Sequence, residues 1–279
     1  AFRTKPLEAL EQELQHIVNV GGAPHVRDVF LADGDAMTLP VPKLLKILTL
    51  IHQYLPSVRR ISSYCLPRNI RYTSVEDLKK LRALGLSLVY VGCESGNDQV
   101  LQAVNKGETY ASSLDALNKL QQAGIKRSVM ILLGLGGQTY SQSHAAASAK
   151  LVSATEPEYL SVLTTSFPRG QERIQKGYQD LLQSTTTTTT TTTTVNSSSH
   201  AFIPLNARES LMELYDFLSQ IEMKGNHTIF RSDHASNYLV LKGRLGRDQA
   251  RLLEELKTIL DASPAMDPYL LRPEWARGL

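Results

Sequence analysis

Five short apolar runs divide the first 167 residues: VFLA (29–32), RRISSY (59–64), LSLVYVG (86–92), RSVMILLGLGG (127–137) and EYLSVLTTS (158–166). They start roughly 30 residues apart with helical patterns between them, the spacing of successive parallel strands joined by crossover helices. Because the runs are apolar on both faces, each strand needs cover on both sides. The chain is therefore constrained to a parallel α/β architecture, either a barrel or a doubly wound sheet.

The intervening segments carry helix signals of their own. Leu7, Leu10, Leu14, Ile17 and Val18 recur at helical spacing and stop at Gly21-Gly22. PKLLKILTLIHQYL (42–55) begins with proline, and Thr73-Ser74-Val75-Glu76 reads as a capping box opening a helix that ends at Gly85. ALNKLQQAG (116–124) and HAAASAKLVSA (144–154) supply two more. A helix precedes the first strand, so a strand before it is expected to be missing. With 279 residues and 42% hydrophobic side chains, one large barrel can be filled.

Charge and cysteine content exclude several classes. The net charge of +3, from 30 Lys and Arg against 27 Asp and Glu, is spread along the chain and gives no electrostatic case for a nucleic-acid partner. Cys65 and Cys93 stand far apart without CxxC spacing, so neither a disulfide framework nor a cysteine metal site can be built from them. A cytoplasmic or other reducing compartment is the expectation. No run approaches the roughly 20 apolar residues that span a bilayer, so no membrane partner is expected.

Residues 1–167 are assigned to a core barrel. Residues 168–200, with ten threonines at 185–194, are a low-complexity segment expected to be a disordered insertion. Residues 201–262 form a helical extension, with Leu211, Leu214, Phe217 and Ile221 on one stripe and a last helix at 248–261, and 263–279 is a tail.

In parallel α/β folds the ligand site lies just past the carboxyl ends of the strands. Those positions hold Asp33-Gly34-Asp35, then Ser62, Ser63 and Tyr64, then Glu94-Ser95-Gly96, then Gly134 to Gln138, and Thr164, Thr165 and Ser166. Each has a structural explanation: Gly34 permits a turn, Asp33 or Asp35 caps the next helix, and Ser95 to Asp98 is capping chemistry. Their coincidence at successive strand ends points instead to a polar ligand bearing an ammonium group. Asp35 and Glu94 would accept its charge-assisted hydrogen bonds, and the glycines would let backbone approach a flat ring.

VFLADGDA, SSYCLPRNI, LGLSLVYVGCESGNDQVLQAVNKGET, GIKRSVMILLGLGGQT and SDHASN occur in an order that resembles the radical S-adenosylmethionine (radical SAM) superfamily, in particular proteins related to oxygen-independent coproporphyrinogen oxidases. The resemblance implies a partial (βα)6 barrel holding S-adenosylmethionine against a [4Fe-4S] cluster. It implies that Gly34 and Asp35 bind the amino group, with Asp where Glu is usual. Glu94 and Ser95 would meet the ribose or carboxylate, Leu132 to Gly137 (including Gly134, Gly136 and Gly137) would bracket the adenine, and Ser63 and Arg127 are further cofactor candidates. Tyr64, His234 and Asn237 are candidates for the substrate end. An electron donor such as a flavodoxin or ferredoxin would be a partner, and the substrate is a small or unidentified molecule.

The sequence departs from that pattern in one respect. The superfamily's CxxxCxxC loop, whose three thiolates hold the cluster, is not in these residues, and Cys65 and Cys93 cannot replace it. The expectation is a chain lacking its first βα unit, with cluster ligands upstream of residue 1. Two alternatives are a clusterless barrel serving as a binding or regulatory protein, and a lyase or hydrolase using Asp33, Asp35 and Glu94 as acid and base.

Overall fold

The computed structural model describes residues 4–32, 34–168, 170–186, 202–225, 227–262, 271–273 and 277. In chain order the elements are α1 (Leu7–Asn19), β1 (Asp28–Leu31), α2 (Val41–Tyr54), β2 (Arg60–Cys65), α3 (Pro67–Ile70), α4 (Val75–Ala83), β3 (Leu86–Glu94), α5 (Asp98–Ala103), α6 (Tyr110–Gln122), β4 (Lys126–Leu133), α7 (Gly137–Thr155), β5 (Tyr159–Thr164), α8 (Glu172–Thr186), α9 (Ala207–Ser219), β6 (Ile229–Arg231), β7 (Lys242–Arg244) and α10 (Gln249–Asp261), with single 3-10 turns at Ala23–His25 and Ala36–Thr38. Asp33, the threonine tract and most of the 263–279 tail lie outside the described residues.

The strands follow one another along the sheet in chain order. A doubly wound sheet would reverse its order at a switch point, so this is the singly wound arrangement of the (βα) barrels. β1 pairs parallel with β2, β2 with β3, and β5 with β6, while β7 returns antiparallel on β6. Two compact units divide the chain, Ala1–Gly92 with Asp115–Val129 and Cys93–Leu114 with Met130–Leu279.

In the first unit, Leu44, Leu48 and Ile51 form the buried stripe of α2, and Leu78 and Leu81 that of α4. Strand alternation sends Ile61, Ser63 and Cys65 of β2 into the buried side, while Tyr64 is half exposed on the other. There Phe30, Tyr64 and Tyr90, one from each of three neighbouring strands, form an aromatic group with ring centroids 4.9 to 6.1 Å apart. The helix cap differs by one residue from the sequence expectation. Ser74, not Thr73, is the N-cap of α4, and its side chain accepts from Asp77 N, because the turn Thr73 N–H to Ile70 O still belongs to the end of α3.

In the second unit, Leu151 and Val152 of α7, Leu160 and Val162 of β5, Leu214 and Phe217 of α9, and Leu252 and Leu256 of α10 are buried. α9 opens with a complete capping box: Asn206 accepts from Glu209 N, and Glu209 accepts from Asn206 N. The expected insertion at 168–200 is corrected over its first half. Residues Glu172–Thr186 are helical, and Ile174, Tyr178 and Leu181, spaced by four and three, pack with Val100, Leu135 and Phe202. Gly177 permits this, since a Cβ there would lie 1.7 Å from Ala103 O of α5.

Candidate functional site

At the mouth of β1, Gly34 has φ +142, a region open chiefly to glycine, and nothing lies within 4 Å of where its Cβ would be. Asp35 follows. Its Oδ1 accepts from Met37 N at 3.1 Å and caps the 3-10 turn, as the structural reading of this residue expects. Its Oδ2 is buried with no hydrogen-bond partner. Burial raises the Asp35 carboxyl above its ordinary range, against the pull of the Asn69 side chain, the Met37 N–H and the Arg68 charge. A buried acceptor without a donor costs about 1–3 kcal/mol, and an ammonium group would supply the donor. The residues present therefore fit the amino end of S-adenosylmethionine.

Two other first-unit candidates are buried with hydrogen bonds to backbone carbonyls. Ser63 is fully buried with its hydroxyl at the carbonyl oxygens of Tyr64 (3.0 Å) and Leu31 (3.4 Å). Arg127 is fully buried near the start of β4, the end opposite Leu133, and its Nη1 donates to Leu117 O of α6 at 3.4 Å.

In the second unit, β3 ends on Glu94, whose φ of +67 is rare for a residue with a side chain. Its Oε1 accepts from Lys106 Nζ at 2.8 Å, in a pair whose side chains are only 16% and 20% exposed. Ser95 is fully buried, and its neighbour Gly96 sits against α7: a Cβ there would lie 2.2 Å from Ala147 O. Asn97 caps α5, accepting from Gln99 N and Val100 N. The capping chemistry read in Ser95 to Asp98 is thus in place.

The glycines after β4 are explained first by packing. Gly134 has φ +78, and a Cβ there would meet Thr165 Oγ1 at 2.9 Å; at Gly137 it would meet Ile203 O at 2.8 Å and the Phe202 ring. A Cβ on Gly136 would meet Tyr140. What these positions accommodate is the protein's own chain, and a flat ligand is not needed to account for them. A cavity lined by Gly134, Thr164, Thr165, Phe167, Leu205 and Tyr238 opens beside this loop.

A buried polar chain that the strand-end reading does not contain joins these loops. Ser141, His144 and Ser148 lie on one face of α7 at spacings of three and four. Ser148 Oγ accepts from Gly96 N at 2.9 Å. His144 Nε2 lies 3.0 Å from Leu132 O, which can only accept, so Nε2 carries the proton; Nδ1 is then bare and accepts the Ser95 hydroxyl at 2.7 Å. Asn97 N–H donates to Ser95 Oγ at 2.9 Å. Burial pushes the His144 imidazole down to about 4, which keeps it neutral.

Next to it is Glu213 of α9, its side chain fully buried, with Oε1 3.8 Å from His144 Nε2. Oε1 accepts from Gly134 N and Oε2 from the Ser141 hydroxyl, both at 2.6 Å. Burial, with a smaller contribution from Asp216, pushes the Glu213 carboxyl up to about 7 against those two donors. The sequence signal was a carboxylate four residues before Phe217, beside the apolar stripe of α9.

Of the later candidates, Asn237 is buried and His234 is exposed. Asn237 is 2% exposed; its Oδ1 accepts from Thr164 Oγ1 at 3.1 Å and its Nδ2 donates to Val162 O at 2.7 Å. His234 is a loop histidine whose Nδ1 is held by Ser236 N at 3.1 Å and Ser236 Oγ at 2.8 Å.

Among the described residues no three His, Cys, Asp or Glu side chains form a group able to hold a metal. Cys65 and Cys93 are buried in different strands, and burial pushes the Cys93 thiol up to about 12, where it stays protonated. A [4Fe-4S] cluster does not fit these residues. No described helix is long and apolar enough to cross a membrane.

A sequence profile of the Radical SAM superfamily matches residues 1–148. The heme chaperone HemW of Bacillus subtilis (strain 168) is 25% identical over 134 residues, 48% of this chain and 35% of that protein. Among solved structures, coproporphyrinogen III oxidase (HemN) from Escherichia coli, described as a radical SAM enzyme, aligns with TM-score 0.52 and 19% identity over 85% of this chain and 57% of its own. Archaeal Methanocaldococcus infernus Elp3 aligns with TM-score 0.52 and 12% identity over 90% of this chain and 58% of its own. At such identities the likeness is one of fold. The chain spans about a third of the curated relative it matches.

Proposed function

This chain belongs to the radical SAM superfamily, and on that premise we propose that it binds S-adenosylmethionine at its strand ends and takes part in radical chemistry on a small, unidentified substrate. The observation that carries the reading is Asp35 Oδ2, buried and without a hydrogen-bond partner at the end of β1. An incoming ammonium would find there an acceptor already free of water, held in place by the Met37 N–H on its other oxygen. Gly34, with open space over its Cα, leaves room for the methionine backbone.

Glu94 and the loop Gly134 to Gly137 are assigned to the ribose and adenine. Lys106 fixes the Glu94 carboxylate through one oxygen. Tyr64, exposed on the strand face with Phe30 and Tyr90, is assigned to the substrate end. When bound, S-adenosylmethionine supplies the reactive fragment in this superfamily, and the protein supplies orientation and exclusion of water.

The cluster half of the reading requires cysteinate ligands that residues 1–279 do not contain, and an electron donor such as a flavodoxin or ferredoxin. It is tested on the protein expressed from its natural start, purified without oxygen and reconstituted with iron and sulfide. A [4Fe-4S] spectrum with 5'-deoxyadenosine formed on reduction supports it. A folded protein giving neither removes it and leaves a nucleoside-binding barrel without radical chemistry.

A further inference from the structure

We propose that Glu213 is a positioning residue: from α9 it holds the Gly134 peptide, and with it the loop that the reading above assigns to the adenine of S-adenosylmethionine. Only the identity of the ligand rests on that reading. The anchor rests on geometry.

Gly134 takes a left-handed φ of +78, so its N–H leaves the line of β4 and is not spent in the strand ladder. It is buried, and a buried N–H needs an acceptor. Glu213 Oε1 provides one at 2.6 Å across 79 residues of sequence. Oε2 is fixed in turn by the Ser141 hydroxyl at 2.6 Å, so the carboxylate cannot rotate away without breaking both bonds. On the far side of the same loop, Tyr178 OH donates to Leu135 O at 2.9 Å. The loop is therefore gripped at residues 134 and 135 by α9 and α8, two helices that follow β5 in sequence.

A carboxylate is a costly choice for this place. An amide oxygen also accepts from an N–H, and a buried charge carries a desolvation cost. The charged form shortens and strengthens the bond to Gly134 N, and the ionisable groups around it are few: His144 of α7, Tyr178 of α8, Tyr140 of α7 and Asp216 of α9 itself. The neutral imidazole of His144 and the Tyr178 phenol, whose burial keeps it protonated, add no charge beside it. The strength of the grip on the loop thus varies with the protonation of one side chain, while the acceptor itself remains in either form.

The test uses the full 279-residue chain, its Glu213→Gln and Glu213→Ala variants, and S-adenosylhomocysteine as the probe. Two readings are taken: the amide resonance of Gly134 as a function of pH, and the dissociation constant. The Gly134 amide should resonate far downfield and move as pH passes through the neutral range in the unsubstituted chain, and be flat with pH in Glu213→Gln. Affinity should fall about tenfold or more in Glu213→Ala, where the donor is left unmatched, and be largely restored in Glu213→Gln, which keeps an acceptor of the same length.

A Gly134 resonance that still titrates in Glu213→Gln overturns the anchor. An affinity in folded Glu213→Ala equal to that of the unsubstituted chain overturns the positioning role. Failure of the unsubstituted chain to bind the probe would strike the proposed function instead, and the resonance would still decide whether Glu213 holds the loop.

Discussion

Ser95 Oγ donates to His144 Nδ1 at 2.7 Å with both side chains at most 1% exposed. Serine, histidine and the nearby Glu213 carboxylate have the composition of a hydrolytic triad, but the connectivity rules out that use here. The histidine proton sits on Nε2 and is directed at a backbone carbonyl, the serine hydroxyl is closed off from solvent, and Glu213 is turned to Gly134 and Ser141. These groups set the position of loops.

The same pair of titrating groups gives opposed pH dependences. His144 is pushed down from its ordinary 6.5 to about 4, so between those values the unfolded chain binds more protons and stability falls as pH falls. Glu213 is pushed up from 4.5 to about 7, so there the folded chain binds more protons and stability rises as pH falls. Relative to the unsubstituted chain, His144→Gln should gain stability on acidification and Glu213→Gln should lose it. Each difference should reach at most about 1.4 kcal/mol per pH unit, read from urea midpoints between about pH 4.5 and 6.5. Differences of the same sign in both variants would contradict the assignment.

At Asp35 the cap and the proposed ligand contact can be separated. Asparagine retains an oxygen for Met37 N but no charge, whereas alanine loses both. Asp35→Asn should leave the melting temperature nearly unchanged and weaken S-adenosylmethionine binding about tenfold or more, the scale of a charge-assisted hydrogen bond. Asp35→Ala should add a loss of about 1 kcal/mol in stability, typical of a missing N-cap. Calorimetric titration and thermal melts distinguish these outcomes, and unchanged affinity in Asp35→Asn removes the assignment.

Three glycines respond differently to alanine for physical reasons. At Gly96 and Gly177 a Cβ would fall 2.2 Å and 1.7 Å from backbone oxygens of Ala147 and Ala103, atoms that cannot move without shifting α7 or α5. Each substitution should cost about 3 kcal/mol or more. At Gly124 nothing lies within 4 Å and only the φ of +72 resists, so Gly124→Ala should cost about 1 kcal/mol. Denaturation of the three variants in one buffer checks the ranking.

Both thiols should be silent toward a maleimide in the folded chain. Cys93 is fully buried with its thiol held protonated, and Cys65 is 2% exposed. Mass spectrometry should show labelling only at the rate of unfolding, with two adducts appearing in denaturant. Prompt labelling of either in the native state would show an opening that the packing does not.

The strands and their parallel order could be read from the sequence because apolar runs flanked by turn residues report burial directly. α8 could not be read with the same ease. Its stripe of Ile174, Tyr178 and Leu181 is interrupted by charged residues and runs into the threonine tract, whose composition dominates any local window. The strand-end rule located Gly34, Asp35 and Glu94 as polar groups at strand mouths. Ser63, named by the same rule, is turned by alternation to the buried side, and the rule gave no hint of Asn237 as a clamp on Thr164 and Val162. Glu213 escaped because its partner is a backbone N–H 79 residues away, which leaves no local pattern. The serine, histidine and serine at 141, 144 and 148 did leave one, a polar stripe on a helix of small residues.

That stripe makes α7 a ruler. The loop after β3 is attached at His144 and Ser148, and the loop after β4 is attached, through Glu213, at Ser141. The distance between the two attachments is set by helical rise, at most about 10 Å over the seven residues from 141 to 148. A helix is stiff along its axis where a loop is not. The interval between the two loops is therefore written into a rigid rod, and substitutions elsewhere in either loop can change its chemistry while the gap it faces stays the same.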